Sequence, residues 1–105
     1  MNTKEFLSRY TAGQRDFRNL NLIAANLRNM NLSGANLSGA NLTKANLTNT
    51  NLSQANLTDA TLTGAKLTET NLNGANLTNA NLSDVDLSNA YLRGALVANQ
   101  VSPCP

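Results

Sequence analysis

Ala35-Asn36-Leu37-Ser38-Gly39 is followed by Ala40-Asn41-Leu42-Thr43-Lys44 and then by Ala45-Asn46-Leu47-Thr48-Asn49. The unit A-N-L-[S/T]-x extends from this stretch in both directions. Its centre column is Leu22, Leu27, Leu32, Leu37, Leu42, Leu47, Leu52, Leu57, Leu62, Leu67, Leu72, Leu77, Leu82, Leu87 and Leu92. Phe17 and Val97 add one unit at each end. Two residues before the centre stands Ala in most units, as at Ala25, Ala55, Ala75 and Ala95. Asn fills the place between. Ser or Thr follows the centre, and the fifth place favours Gly, Asn or Asp.

A period of five fits neither regular element. On an α-helix, where each residue turns about 100°, residues five apart advance by about 140° and wander over every face. On a flat strand, side chains alternate with period two, so successive leucines would point to opposite faces. The chain must therefore bend once per unit, turning each Leu toward one common axis. Ala and Leu, two residues apart, share the inner side of a short extended piece. The intervening Asn faces out, and the last two residues make the corner.

The corner residues suit a type II turn, which needs one positive φ. Gly34, Gly39, Gly64, Gly74 and Gly94 occupy the fifth column with Asn19, Asn29, Asn49, Asn79, Asn89 and Asn99. Ala24, Lys44, Gln54 and Glu69 break the pattern, and their corners are expected at negative φ.

The run Asn36 to Leu62 resembles the pentapeptide-repeat family, whose consensus is A-[N/D]-L-x-x. The resemblance covers about 85 of the 105 residues. Phe6-Leu7-Ser8-Arg9-Tyr10, with Gly13-Gln14-Arg15-Asp16-Phe17 after it, is similar to the start of many cyanobacterial members. The resemblance implies an all-β fold: a right-handed, four-sided parallel β-helix with four units per coil. Residues 15–99 would then make about four coils, on the order of 20 Å tall at the inter-strand spacing of about 4.8 Å. Residues 1–14 precede this solenoid as a cap and lead-in, and 100–105 follow it as a tail.

Exceptions to the repeat recur in register with a 20-residue coil. Met30, Thr50, Thr70 and Ala90 would stack on one face, and Gly34, Gly74 and Gly94 on one corner line. Lys66 would lie opposite Asp86, a modestly attractive cross-strand pair. Thr50 and Thr70 are expected to point inward with their hydroxyls bonded to backbone, because an unpaired buried hydroxyl is costly.

A solenoid has two open ends that invite edge pairing. Thr3 is the expected N-cap of a short helix through about Tyr10, with Glu5 in its first turn. Phe6, Leu7 and Tyr10 fall on one side of that helix, which would lid the first coil. At the other end Tyr91, Leu96, Val97 and Val101 are apolar, and Pro103 and Pro105 stop strand pairing. The tail folds across the last coil, or two copies meet there; the resemblance implies the latter, since dimeric members join at their C-terminal ends.

Chemistry-bearing motifs are scarce. There is no His, which excludes His-dependent triads and metal sites. Cys104 is the only cysteine, so neither an internal disulfide nor a thiolate cluster can form. Glu5, Asp16, Asp59, Glu69, Asp84 and Asp86 fall on several faces and read as solvated surface. Asn-Leu-Ser and Asn-Leu-Thr match the glycosylation pattern formally but are by-products of the repeat. No cofactor and no enzymatic activity are expected.

Charge narrows the remaining classes. Charged residues make up 13% of the chain, about half the usual share, and the net charge is +2. Arg15, Arg18, Arg28, Lys44, Lys66 and Arg93 are scattered, which gives few phosphate contacts and no nucleic-acid interface. The fluoroquinolone-resistance branch of the family mimics DNA to bind gyrase; its members are long and acidic, unlike this chain. Ice recognition through Thr43, Thr63 and Ser83 is interrupted by Asn residues, Lys44 and Asp84. No apolar run reaches the about 20 residues of a membrane span, and a cytoplasmic location is expected. The reading is a structural or protein-interaction rod with an unidentified protein partner.

Overall fold

The fold is described here from a computed structural model, in which residues 2–97 can be placed. Val101, Cys104 and the rest of the tail from residue 98 lie outside the described residues. The principal extents are 40 × 24 × 23 Å.

One helix opens the chain. Helix α1 spans Thr3–Thr11, and its N-cap is Asn2, not Thr3: the Asn2 Oδ1 accepts the Glu5 N–H at 2.8 Å. Thr3 already lies inside the helix. Asn outranks Thr as a cap, which accounts for the one-residue shift. The helix closes on Gly13, at φ 105°. Gly13 N–H donates to Tyr10 O and Gln14 N–H to Arg9 O, the paired bonds of a Schellman ending.

Phe6 and Tyr10 make the lid. Phe6 is fully buried and meets Phe17 edge-to-face, with ring centroids 4.5 Å apart. Tyr10 donates its hydroxyl to Ser33 O at 2.7 Å, and the Arg15 guanidinium lies 3.7 Å from the Tyr10 ring centroid. Leu7, expected in the lid, is on the flank of the helix and exposed. The side facing the coil is narrow enough for Phe6 and Tyr10 to fill it.

From Asp16 onward the chain winds as a parallel β-helix. Asp16 pairs with Asn36, Asn36 with Asn56 and Asn56 with Asn76, all parallel and 20 residues apart. The same offset links Asn21, Asn41, Thr61 and Asn81, and equally Asn31, Asn51, Asn71 and Tyr91. We number the coils 1 (residues 16–35), 2 (36–55), 3 (56–75) and 4 (76–95).

The inner columns form the core. Phe17 and every centre leucine from Leu22 to Leu82 are buried, as are Ala35, Ala40, Ala45, Ala55, Ala60, Ala65, Ala75 and Ala80. Each buried leucine contributes about 1.5–3 kcal/mol. Thr50 and Thr70 share this interior; their Oγ1 atoms donate to Leu27 O and Leu47 O, both at 2.6 Å. Leu87 and Leu92, expected in the core, are only half-buried because no described coil stacks beyond them. Val97 is half-exposed for the same reason.

The unit 45–49 shows why each residue type recurs. Asn46 N–H donates down to Ala25 O at 2.9 Å, while Leu47 N–H and Asn49 N–H donate up to Lys66 O and Thr68 O, also at 2.9 Å. Ala45 N–H closes the preceding corner on Leu42 O at 2.9 Å. Only the N–H after the leucine is left over. Asn46 Oδ1 takes it, accepting from Thr48 N–H at 3.1 Å. All five donors are thus satisfied, as buried or half-buried backbone requires.

The corners correct one expectation. Ala24 (φ 57°), Lys44 (φ 60°), Gln54 (φ 61°) and Glu69 (φ 54°) are all left-handed, like the glycine corners. The inter-coil bonds on either side demand that geometry and override residue preference. Asn89, the corner that should tolerate positive φ, is instead the one between 19 and 94 that does not adopt it. There the ladder between coils 3 and 4 slips: Glu69 N–H donates to Asn89 O, 20 residues on, where other corners reach 19 residues on. Lys66 therefore pairs with Asn46 but not with Asp86, and the expected charge pair is not formed. Val85, larger than the alanines of its column, sits at the start of this slipped segment.

Candidate interaction surface on the terminal coil

The outer walls are largely occupied with their own hydrogen bonds. Thr48 Oγ1, Thr78 Oγ1 and Ser83 Oγ donate to Asn46, Asn76 and Asn81 Oδ1 at 2.6–2.7 Å. The hydroxyls are turned back onto the repeat and do not form the free, aligned array that ice recognition needs.

The ionisable groups are dispersed. Arg18 pairs with Asp16 at 2.8 Å and Arg9 with Glu5 at 3.5 Å. The Arg18 side chain, through its hydrogen bonds first, holds the Asp16 carboxyl below the usual carboxylate range. The Asp86 carboxyl is lowered by the Ser88 side chain and then by the Ser88 N–H. Among the described residues, no three His, Cys, Asp or Glu side chains are placed to hold a metal ion. None of the described helices is long and apolar enough to cross a membrane.

Coil 4 breaks the polar pattern. Tyr91 stands over Asn71 and Leu96 over Asn76, each in the outward Asn column. Their backbones keep the ladder, with Tyr91 N–H donating to Thr70 O and Leu96 N–H to Ala75 O at 2.9 Å. Neither side chain can accept the N–H two residues later. Arg93 N–H instead donates to Asn73 Oδ1 of coil 3 at 2.8 Å. Tyr91 is 52% exposed, Leu96 58% and Val97 49%, beside half-buried Leu87 and Leu92. Tyr91, Leu96 and Val97 therefore come together as the sequence predicts, while Val101 lies outside the described residues.

Two contributors escaped the sequence reading. Arg93 lies between Tyr91 and Leu96 and shares their coil. Ile23, 51% exposed on coil 1, is the aliphatic intruder in the Ser/Thr column, a signal that column analysis could have flagged.

Comparisons with known proteins follow from this geometry. The pentapeptide-repeat family profile matches residues 16–54 and 55–94. A pentapeptide repeat protein from Nostoc Pcc 7120, alr5209, is 39% identical; the match covers 90% of this chain and 74% of that one, with a TM-score of 0.81. HetL, a pentapeptide repeat protein involved in heterocyst differentiation regulation in Nostoc sp. strain PCC 7120, is 37% identical at a TM-score of 0.51. That match covers 83% of this chain but only 47% of HetL. A pentapeptide repeat protein of the Arabidopsis thaliana thylakoid lumen shares the fold at 24% identity and a TM-score of 0.58, covering 86% of this chain and 67% of that one. No curated protein matches the chain. With the profile spanning four complete coils and a relative of this likeness, the chain belongs to the pentapeptide-repeat family.

Proposed function

We propose that the chain is a non-catalytic, right-handed, four-sided protein-interaction rod that works in the cytoplasm and docks its partner through the terminal coil. The observation that carries this reading is the replacement of outward asparagines by exposed Tyr91 and Leu96. At these positions the repeat gives up its own side-chain bond and places apolar surface in water. Breaks in local consistency of this kind concentrate where a protein does its work. Tyr and Arg are also enriched in binding hot spots, and Arg93 adjoins Tyr91. The simplest assembly this surface supports is a homodimer that uses the C-terminal coil.

The gyrase-binding alternative finds no matching feature. The net charge is +2, and Arg28, Lys44, Lys66 and Arg93 are exposed on the walls. DNA mimicry requires the opposite sign.

The test compares the full chain with a Tyr91→Asn/Leu96→Asn variant, which restores the residues of the repeat. Both are immobilised, and proteins retained from cell extract are quantified. Species held by the natural chain and lost with the variant support the reading. Equal retention by both contradicts it.

A further inference from the structure

Among the described residues, the large exposed apolar side chains sit only at the two ends of the rod. Leu7 (38% exposed) and Ile23 (51%) are on helix α1 and coil 1; Tyr91, Leu96 and Val97 are on coil 4 or just beyond it. The middle coils have none. The charges divide along the same axis. Residues 2–35 carry Lys4, Arg9, Arg15, Arg18 and Arg28 against Glu5 and Asp16, a net +3. Residues 76–97 carry Asp84 and Asp86 against Arg93, a net −1. The stretch between them balances Lys44 and Lys66 against Asp59 and Glu69.

We infer that the partner seated on the terminal coil is a second copy of this chain, presented by its N-terminal end. This rests on the reading of coil 4 as the docking surface and specifies its occupant. Head-to-tail contact sets apolar against apolar and a basic end against an acidic one. Tail-to-tail contact would bring Asp84 and Asp86 of both copies together, and like charges across an interface are unfavourable. The contact is small. A face of 24 × 23 Å buries about 550 Å² per partner, near or below the lower limit of stable interfaces, so association is weak and concentration-dependent. A head-to-tail contact is also heterologous: it leaves a free end on each copy and grows into short chains.

Complementation by blocked ends tests the arrangement, using full-length chains throughout. The N-blocked variant is Leu7→Glu/Ile23→Glu, and the C-blocked variant is Tyr91→Asn/Leu96→Asn. Circular dichroism melts check that both stay folded, as surface changes should allow. Mass is followed by sedimentation up to about 1 mM protein. The natural chain is expected to pass beyond dimer as concentration rises, and to weaken at about 0.5 M salt, where charges are screened. Each variant alone associates at least about tenfold more weakly, a hot-spot-sized loss. Mixing the two restores a dimer that stops at two, because one N-terminal and one C-terminal end remain competent.

If the N-blocked variant dimerises like the natural chain while the C-blocked one does not, the contact is tail-to-tail. That result overturns the head-to-tail inference and leaves coil 4 as a docking surface. A natural chain that stays monomeric at the highest concentration also overturns the inference, and the retention assay then judges coil 4 separately. Association that survives both blocks overturns the inference together with the terminal-coil reading.

Discussion

Asn56 Oδ1 accepts the backbone N–H of Thr58 at 3.0 Å, and the same bond recurs from Asn21–Ile23 to Asn81–Ser83 wherever Asn holds that column. It satisfies the one donor per unit that neither the ladder nor the corner uses. The asparagine column is therefore a structural part of the wall as well as its outer surface.

Removing that acceptor should be measurable. Asn56→Ala is expected to lower stability by about 1 kcal/mol, the net worth of one such hydrogen bond. Thr61 holds the same column, and among the described residues its unit lacks this bond. Thr61→Asn should raise stability by up to about 1 kcal/mol. Urea midpoints of the two variants, moving in opposite directions, check both.

The left-handed corners make a second prediction. Gly34 has φ 72°, and a Cβ there would meet nothing within 4 Å. Gly34→Ala therefore isolates the backbone term. Left-handed geometry costs an L-residue about 1–2 kcal/mol, and reduced freedom of the unfolded chain returns part of it. A net loss of about 1 kcal/mol is expected from thermal or urea unfolding. Ala24→Gly, at φ 57°, should shift stability the other way.

Acid should weaken the fold through Asp16 and Asp86, whose carboxyls are held below their ordinary value by Arg18 and Ser88 respectively. A depressed folded-state pKa means that the unfolded chain takes up the proton first. The contribution is complete above the ordinary carboxylate pKa of about 4 and is lost as pH falls through the lowered native value. Urea midpoints should therefore drop below about pH 4, and Asp16→Asn should flatten part of that drop. An unchanged acid slope in Asp16→Asn would contradict the assignment.

The axial core was readable in the sequence because a five-residue period excludes both helix and flat strand. The coil length was also readable, since Met30, Thr50, Thr70 and Ala90 repeat at 20. Thr50 and Thr70 carry their inward hydroxyls to Leu27 O and Leu47 O, as a buried polar group must. Corner geometry was less legible. Lys44 and Glu69 are poor candidates for positive φ, yet bonds to the next coil impose it. The slip at 85–90 was invisible as well, because it depends on how Val85 packs against coil 3 and on the absence of a described coil above. Tyr91, Leu96 and Val97 could be picked out as column breakers. The bond from Arg93 to Asn73 joins two coils and has no trace in local sequence.

The account stands on the line of buried leucines along the axis, and Leu57, fully buried in coil 3, tests it most directly. Equilibrium urea unfolding of Leu57→Ala should show a loss of about 2–5 kcal/mol relative to the natural chain. A midpoint that does not move would place Leu57 outside a packed interior and contradict the solenoid core.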